Sequence, residues 1–174
     1  MRHFEKISYN QYKKDVEENP DNYKEYKLPQ RATANSVGYD FYYLKKITIK
    51  PQEIIKIPTG YKAHFQKNEA LLLVVRSSMG FKYNVRMCNQ IGIIDSDYYN
   101  NETNEGHIWV ALQNQGTKDY TIQKGEAYCQ GIFINYLITD DDVSTKKRVG
   151  GIGSTERTNK NEIIWRISMA WTYR

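Results

Sequence analysis

Five short stretches hold the side chains that could do chemistry. Ser36-Val37-Gly38-Tyr39-Asp40 sets a carboxylate at the mouth of a predicted strand, a place where Asp alone usually serves a capped turn. Arg76-Ser77-Ser78-Met79-Gly80 follows an apolar run, so a guanidinium, two hydroxyls and a glycine amide leave a strand end together. That set can cradle a phosphate, with charge from Arg and contacts to oxygen from hydroxyl and N–H groups. It can equally be a helix start capped by Ser77 or Ser78. Asn89-Gln90-Ile91-Gly92-Ile93-Ile94-Asp95-Ser96-Asp97-Tyr98 reads as a hairpin, with an amide on its first arm and a carboxylate near its tip. Gly92 inside the β-branched run marks close approach of backbone or ligand, and Asp95-Ser96-Asp97 reads as a turn. Lys124-Gly125-Glu126-Ala127-Tyr128-Cys129-Gln130 is a turn feeding a buried strand. Lys147-Arg148-Val149-Gly150-Gly151-Ile152-Gly153-Ser154-Thr155 is basic, then Gly-rich, then hydroxylic. It suits either an arm that closes over phosphates or a mobile tail.

The elements that must position these groups are short and strand-like. Tyr39 to Leu44, Ile47 to Ile49, Ile54 to Ile57, Tyr61 to Phe65, Leu71 to Val75, Ile108 to Leu112, Tyr120 to Ile122 and Tyr128 to Tyr136 each read as strands between turn signals. Without alternating long helices, this pattern predicts an all-β sandwich, barrel or jelly roll and argues against a parallel α/β sheet. Ser8 can cap a short N-terminal helix whose Tyr9, Tyr12 and Val16 share a face; Asn19-Pro20-Asp21-Asn22 would end it, leaving an appendage on the main body. Residues 23–37 read as loop or edge strand, 100–106 as a polar insertion and 139–149 as an acidic-then-basic loop.

The chain has 174 residues, enough for one domain with a core, and 40% hydrophobic with 26% charged residues excludes a disordered chain. A net charge of +5 permits an anionic partner, but the cations are scattered, which argues against direct nucleic-acid binding. Cys88 and Cys129 sit far apart and read as buried free thiols of a cytoplasmic protein. No run is long enough to span a membrane, and Met1 to Lys6 lacks an apolar signal core.

Taken together and in order, the five stretches resemble the five motifs of the trimeric dUTPase family. The match lies in Gly38-Tyr39-Asp40, Arg76-Ser77-Ser78, Asn89 through Asp95 with Tyr98, Gly125-Glu126 with Gln130, and Gly150 through Thr155. It covers roughly residues 28–156 and looks closest to forms from Gram-positive bacteria and their phages. The resemblance implies a jelly-roll-like homotrimer that hydrolyses dUTP to dUMP and pyrophosphate at sites shared between subunits. It implies Asp95 as general base, suited to take a proton from the attacking water. Asn89 and the hairpin backbone through Ile94 would read uracil, and Tyr98 would pack under the sugar and leave no room for a 2′-hydroxyl. Arg76, Ser77, Ser78 and Gln130 would bind phosphates, and Lys147 or Arg148 with Ser154 and Thr155 would close on the terminal phosphate. Asp40 would hold the water shell of Mg²⁺. Residues 1–156 would then form one domain with a flexible C-terminal arm, followed by a tail, 157–174, of unassigned role.

Several positions depart from the family pattern. Ile152 stands where an aromatic usually stacks on uracil, with Trp109 as a candidate replacement ring. Lys147 aligns with the usual arginine of the fifth motif better than Arg148 does; Val75 and Ala127 stand where Pro and Arg are common. Two rival readings use the same fold. A dCTP deaminase would need a glutamate where Ala111 stands. A regulatory module would bind a regulator protein with weak or no turnover, and intact Asp95 weighs against it.

Overall fold

The computed structural model describes residues 1–148, 150 and 151. In chain order the strands are β1 (His3–Lys6), β2 (Gln30–Arg31), β3 (Tyr39–Tyr42), β4 (Ile47–Ile49), β5 (Ile54–Pro58), β6 (Tyr61–His64), β7 (Glu69–Val75), β8 (Val85–Met87), β9 (Gly92–Asp95), β10 (Trp109–Asn114), β11 (Tyr120–Ile122) and β12 (Ala127–Asn135). Short helices α1 (Tyr9–Asp15), α2 (Pro20–Glu25) and α3 (Ser77–Tyr83) interrupt them. The all-β architecture read from the turn spacing is therefore present, as sandwich-like sheets.

The largest sheet runs β2-β3-β12-β7-β9, every pair antiparallel, and a second sheet runs β5-β10-β8. Their inner faces meet in one core, where Phe41, Leu71, Leu73, Cys129 and Tyr128 lie with Ile57, Val85, Met87, Val110 and Leu112. Alternation does this: in β10 the buried positions are Val110, Leu112 and Asn114, while Trp109, Ala111 and Gln113 point the other way. Each fully buried Leu or Ile contributes on the order of 2 kcal/mol, so this seam fixes the register that places the site residues.

Glycines mark where the layers come closest. A Cβ on Gly92 would lie 3.1 Å from Leu73 Cβ and 3.3 Å from Met87 Cε. The close approach expected there is that of the protein's own sheets. A Cβ on Gly131 would lie 2.8 Å from Phe41, so β12 can press onto the core only with glycine next to Gln130.

Several local expectations need correction. The Asn89–Tyr98 stretch is no hairpin: its first arm, β9, pairs with β7, the preceding β8 pairs with β10, and among the described residues the turn at Ser96–Tyr98 leads into no returning strand before β10. Asn89 lies in the connection, and Asp95 ends β9 before a single 3₁₀ turn, Ser96–Tyr98. Asn19 does not merely end α1; its side chain accepts from Asn22 N at 3.0 Å and starts α2, with Pro20 at the first turn. Cys129 is buried as expected, but Cys88 is exposed.

Candidate active site

The first cluster forms where β3, β7 and β12 lie side by side. Asp40 on β3 pairs in register with Gln130 on β12, which pairs with Val74 on β7. Gln130 Nε2 donates to Asp40 Oδ1 at 2.9 Å, joining residues ninety apart in the chain, and Arg76 Nε lies 3.7 Å from the same oxygen. Asp40 is 5% exposed, so its carboxylate is held, while the Arg76 side chain is 39% exposed and reaches outward. Gly38 belongs to this packing, since a Cβ there would meet Gln130 at 3.2 Å. Ser77 and Ser78 are exposed at the start of α3. The N-cap of α3 is Arg76, with no side-chain cap hydrogen bond, so neither serine caps the helix. The helix starts directly after Arg76 at the end of β7, so two hydroxyls, the first helical amides and one guanidinium lie close together in the chain as donors that could serve anionic oxygen.

The second cluster surrounds the end of β9. Asp95 and Asp97 are each about half exposed, and one side chain bridges them: Arg148 Nη2 lies 2.5 Å from Asp95 Oδ2, and Arg148 Nε donates to Asp97 Oδ1 at 2.8 Å. The same guanidinium lies over the Tyr98 ring, 5.7 Å from its centroid. Burial works to lower the Arg148 pKa, but Asp97 and Asp95 outweigh it and raise it, so the cation persists. Tyr98 is buried, and its hydroxyl donates to the His107 carbonyl at 3.0 Å while accepting from Asn104 Nδ2 at 2.9 Å. Burial raises its pKa and keeps the phenol neutral. Ile94 is half-buried on β9, and Asn89 is exposed. Lys147 is exposed, Arg148 meets the end of β9, and Gly151 N donates to Thr103 Oγ1 at 2.9 Å in the loop beyond it. Ile152, Ser154 and Thr155 lie outside the described residues.

The two clusters do not meet within one chain. Asp95 lies opposite Ala70 on β7, whereas Gln130 lies opposite Val74. Four residues along β7 and three strand spacings across the sheet separate Asp95 from Asp40, about 20 Å in all.

The family model for dUTPase matches residues 24–158. The deoxyuridine 5'-triphosphate nucleotidohydrolase of Lactococcus lactis subsp. lactis (strain IL1403) is 42% identical over 130 residues, covering 74% of this chain and 87% of the relative. The chain belongs to the dUTPase family. Its fold agrees: the crystal structure of dUTPase from Streptococcus mutans superposes with a TM-score of 0.64 at 36% identity, covering 79% of this chain and 98% of that one. The dUTPase from phage phi11 of S. aureus shares the fold at a TM-score of 0.62 and 16% identity, covering 84% of this chain and 97% of that one.

Among dUTPase motif residues, the structure thus joins Asp40, Arg76 and Gln130 in one cluster and Asp95 and Tyr98 in another. Trp109 sits on β10 with its ring 5.4 Å from that of His107, on the side of the second cluster. Ala111 lies on β10, its carbonyl accepting from Cys88 N at 2.9 Å.

Sequence reading missed a third group. His107 is fully buried, with Nδ1 2.6 Å from Asp15 Oδ2 and Nε2 accepting from Gly60 N at 2.9 Å. A lone histidine in a polar loop gives no periodic signal.

Proposed function

We propose that this dUTPase-family chain hydrolyses dUTP to dUMP and pyrophosphate, by attack of water on the α-phosphorus. The observation that carries the reading is the meeting of Asp40, Arg76 and Gln130 at one sheet end, beside the exposed hydroxyls of Ser77 and Ser78. A buried carboxylate beside a donor-rich, partly exposed guanidinium suits a triphosphate that arrives with a hydrated cation. Asp40 offers one carboxylate, and among the described residues no group of three or more His, Cys, Asp or Glu could form a protein cage. That fits Mg²⁺, which keeps its waters and takes most of its remaining contacts from phosphate oxygens. When bound, the ion would neutralise phosphate charge.

The chain's own residues then divide the work. Arg76, Ser77, Ser78 and Gln130 bind and orient phosphate oxygens, so the displacement is in line. Asp95 takes the proton from the attacking water. Asn89 and the β9 backbone through Ile94 read the uracil edge, and the Tyr98 ring excludes a 2′-hydroxyl. Lys147 or Arg148, with Ile152, Ser154 and Thr155, closes on the bound nucleotide. A base must come within hydrogen-bond reach of its proton, and Asp95 lies about 20 Å from Asp40 by strand register. Two or more copies therefore complete each site, and a homotrimer is the assembly proposed. Residues 1–156 act as one domain, and 157–174 carry no assigned part.

Purified protein with each dNTP and Mg²⁺ tests this directly. dUTP should give dUMP and pyrophosphate, and Asp95→Asn should cut kcat by about 10²–10⁴-fold while retaining dUTP binding. Orthophosphate as product, or an Asn variant near wild-type rate, would overturn the assignment.

A further inference from the structure

The segment before the dUTPase-matched region is wired into the loop that holds Tyr98. The matched region begins at residue 24, so Ser8 and Asp15 lie outside it. Gly60 N–H can only donate, so His107 Nε2 accepts, and the imidazole proton sits on Nδ1, donating to Asp15 at 2.6 Å. The ring is locked as one neutral tautomer between α1 and the turn before β6. The His107 carbonyl in turn accepts the Tyr98 hydroxyl at 3.0 Å and Asn104 Nδ2 at 3.3 Å.

A second tie runs in parallel. Glu105 accepts from Ser8 N at 2.9 Å and from the Ser8 hydroxyl at 2.5 Å. Its backbone closes the insertion: Glu105 N donates to Asn101 O at 3.0 Å, and Glu105 O accepts from Asn100 N at 3.1 Å. Tyr99 donates its hydroxyl to Glu5 at 2.8 Å, and Lys62 lies beneath, 2.7 Å from Asn100 Oδ1. Gly60 gathers the same elements, its carbonyl accepting from Ile7 N at 3.1 Å and the Tyr26 hydroxyl at 2.8 Å.

We infer that Asp15, acting through His107, is a positioning residue for Tyr98, with Ser8 and Glu105 as its companion tie, so that the N-terminal segment sets how strictly the site distinguishes a deoxyribose from a ribose. This rests on the proposed role of Tyr98 in dUTP hydrolysis. A ring that excludes one hydroxyl must be fixed to a fraction of an ångström, and the Tyr98 side chain is hydrogen-bonded through its hydroxyl to the His107 carbonyl and Asn104. Removing Asp15 leaves a buried Nδ1–H unpaired, so the imidazole must turn and carry its backbone with it.

The test compares Asp15→Ala, Asp15→Asn and Glu105→Gln with wild type, by steady-state kinetics on dUTP and UTP and by hydrogen exchange across residues 98–107. Asp15→Ala should raise KM for dUTP and narrow the dUTP-over-UTP ratio of kcat/KM by about tenfold, with faster exchange in that loop. Asp15→Asn should recover most of the ratio, because an amide oxygen can accept the same Nδ1–H. Glu105→Gln should narrow the ratio less, and it decides the matter should Asp15→Ala fail to fold: an unchanged ratio in Glu105→Gln would then overturn the inference. A lower melting temperature with the ratio unchanged within about twofold would likewise reduce Asp15 to a structural residue. A wild type that turns over no dUTP would overturn the functional reading and this inference's link to it, whereas faster loop exchange in Asp15→Ala would still establish the tie itself.

Discussion

At the scale of single residues, the position of Arg148 bears on which cation would serve the proposed triphosphate site. Its guanidinium lies on Asp95, Asp97 and the face of Tyr98. If Tyr98 packs under the sugar as proposed, the guanidinium over its ring must leave before a nucleotide can sit there. Both carboxylates are 55% exposed, so solvent screens the pairs and holding Arg148 there is worth no more than about 1 kcal/mol. That is enough to tax nucleotide binding a few-fold and too little to block it. Arg148→Ala should therefore leave KM for dUTP unchanged or lower it by up to about fivefold. Lys147, exposed and aligned with the usual arginine of the fifth motif, should carry the phosphate contact, and Lys147→Ala should raise KM about tenfold. Steady-state kinetics on the two variants checks this. The reverse pattern would mean that Arg148 swings from the carboxylates to the nucleotide.

At the scale of elements, α1 and the loop before β10 behave as one unit through His107. Burial drives the His107 pKa below its ordinary 6.5, outweighing the opposing pull of Asp15 and Glu105. The folded state then holds fewer protons than the unfolded chain just below pH 6.5, so stability is full above that value and is lost as pH falls toward the folded-state pKa. Glu105 works in a lower window: burial would raise its pKa, but hydrogen bonds from Ser8 and the charge of Lys62 lower it from 4.5, so its contribution fades only below that value. Thermal unfolding should accordingly show a melting temperature that falls from about pH 7 to pH 5.5, and His107→Asn should melt lower but nearly independently of pH across that range. A wild-type slope that survives in the variant would place the titration elsewhere. This unit is also where sequence reading stopped short. Ser8 as a cap and the buried face of Tyr12 were legible because helix signals are local. The strands around Ile47, Leu71 and Tyr120 were legible because alternation and turns are local as well. That Asp40, Arg76 and Gln130 share a chemistry was legible through their motifs, yet that they touch depends on the register of β3, β12 and β7. The ties of Asp15 to His107 and of Ser8 to Glu105 span more than ninety residues between groups of ordinary type, and no spacing rule announces them.

At the scale of the whole molecule, the geometry of one chain argues for several. The donor-rich end of the large sheet and the end of β9 point to different places, about 20 Å apart by strand register. Under the proposed roles, a base and a phosphate cradle must share one site, so Asp95 would act on a nucleotide held by the Arg76 of another copy. This has a consequence that no single-chain site can imitate. Arg76→Ala and Asp95→Asn should each be nearly inactive alone, since every site in either assembly lacks one part. Co-refolding the two in equal amounts scrambles the subunits. A site is then intact when its cradle comes from the Asp95→Asn chain and its base from the Arg76→Ala chain, which random mixing in a closed ring produces in about a quarter of sites. Activity should return to about that fraction of wild type, and diluting one variant with a chain carrying both substitutions should lower it in proportion. Mixtures that stay as inactive as the separate variants, despite mass measurements showing exchanged subunits, would place Asp95 and Arg76 in the same chain's site and refute the shared arrangement.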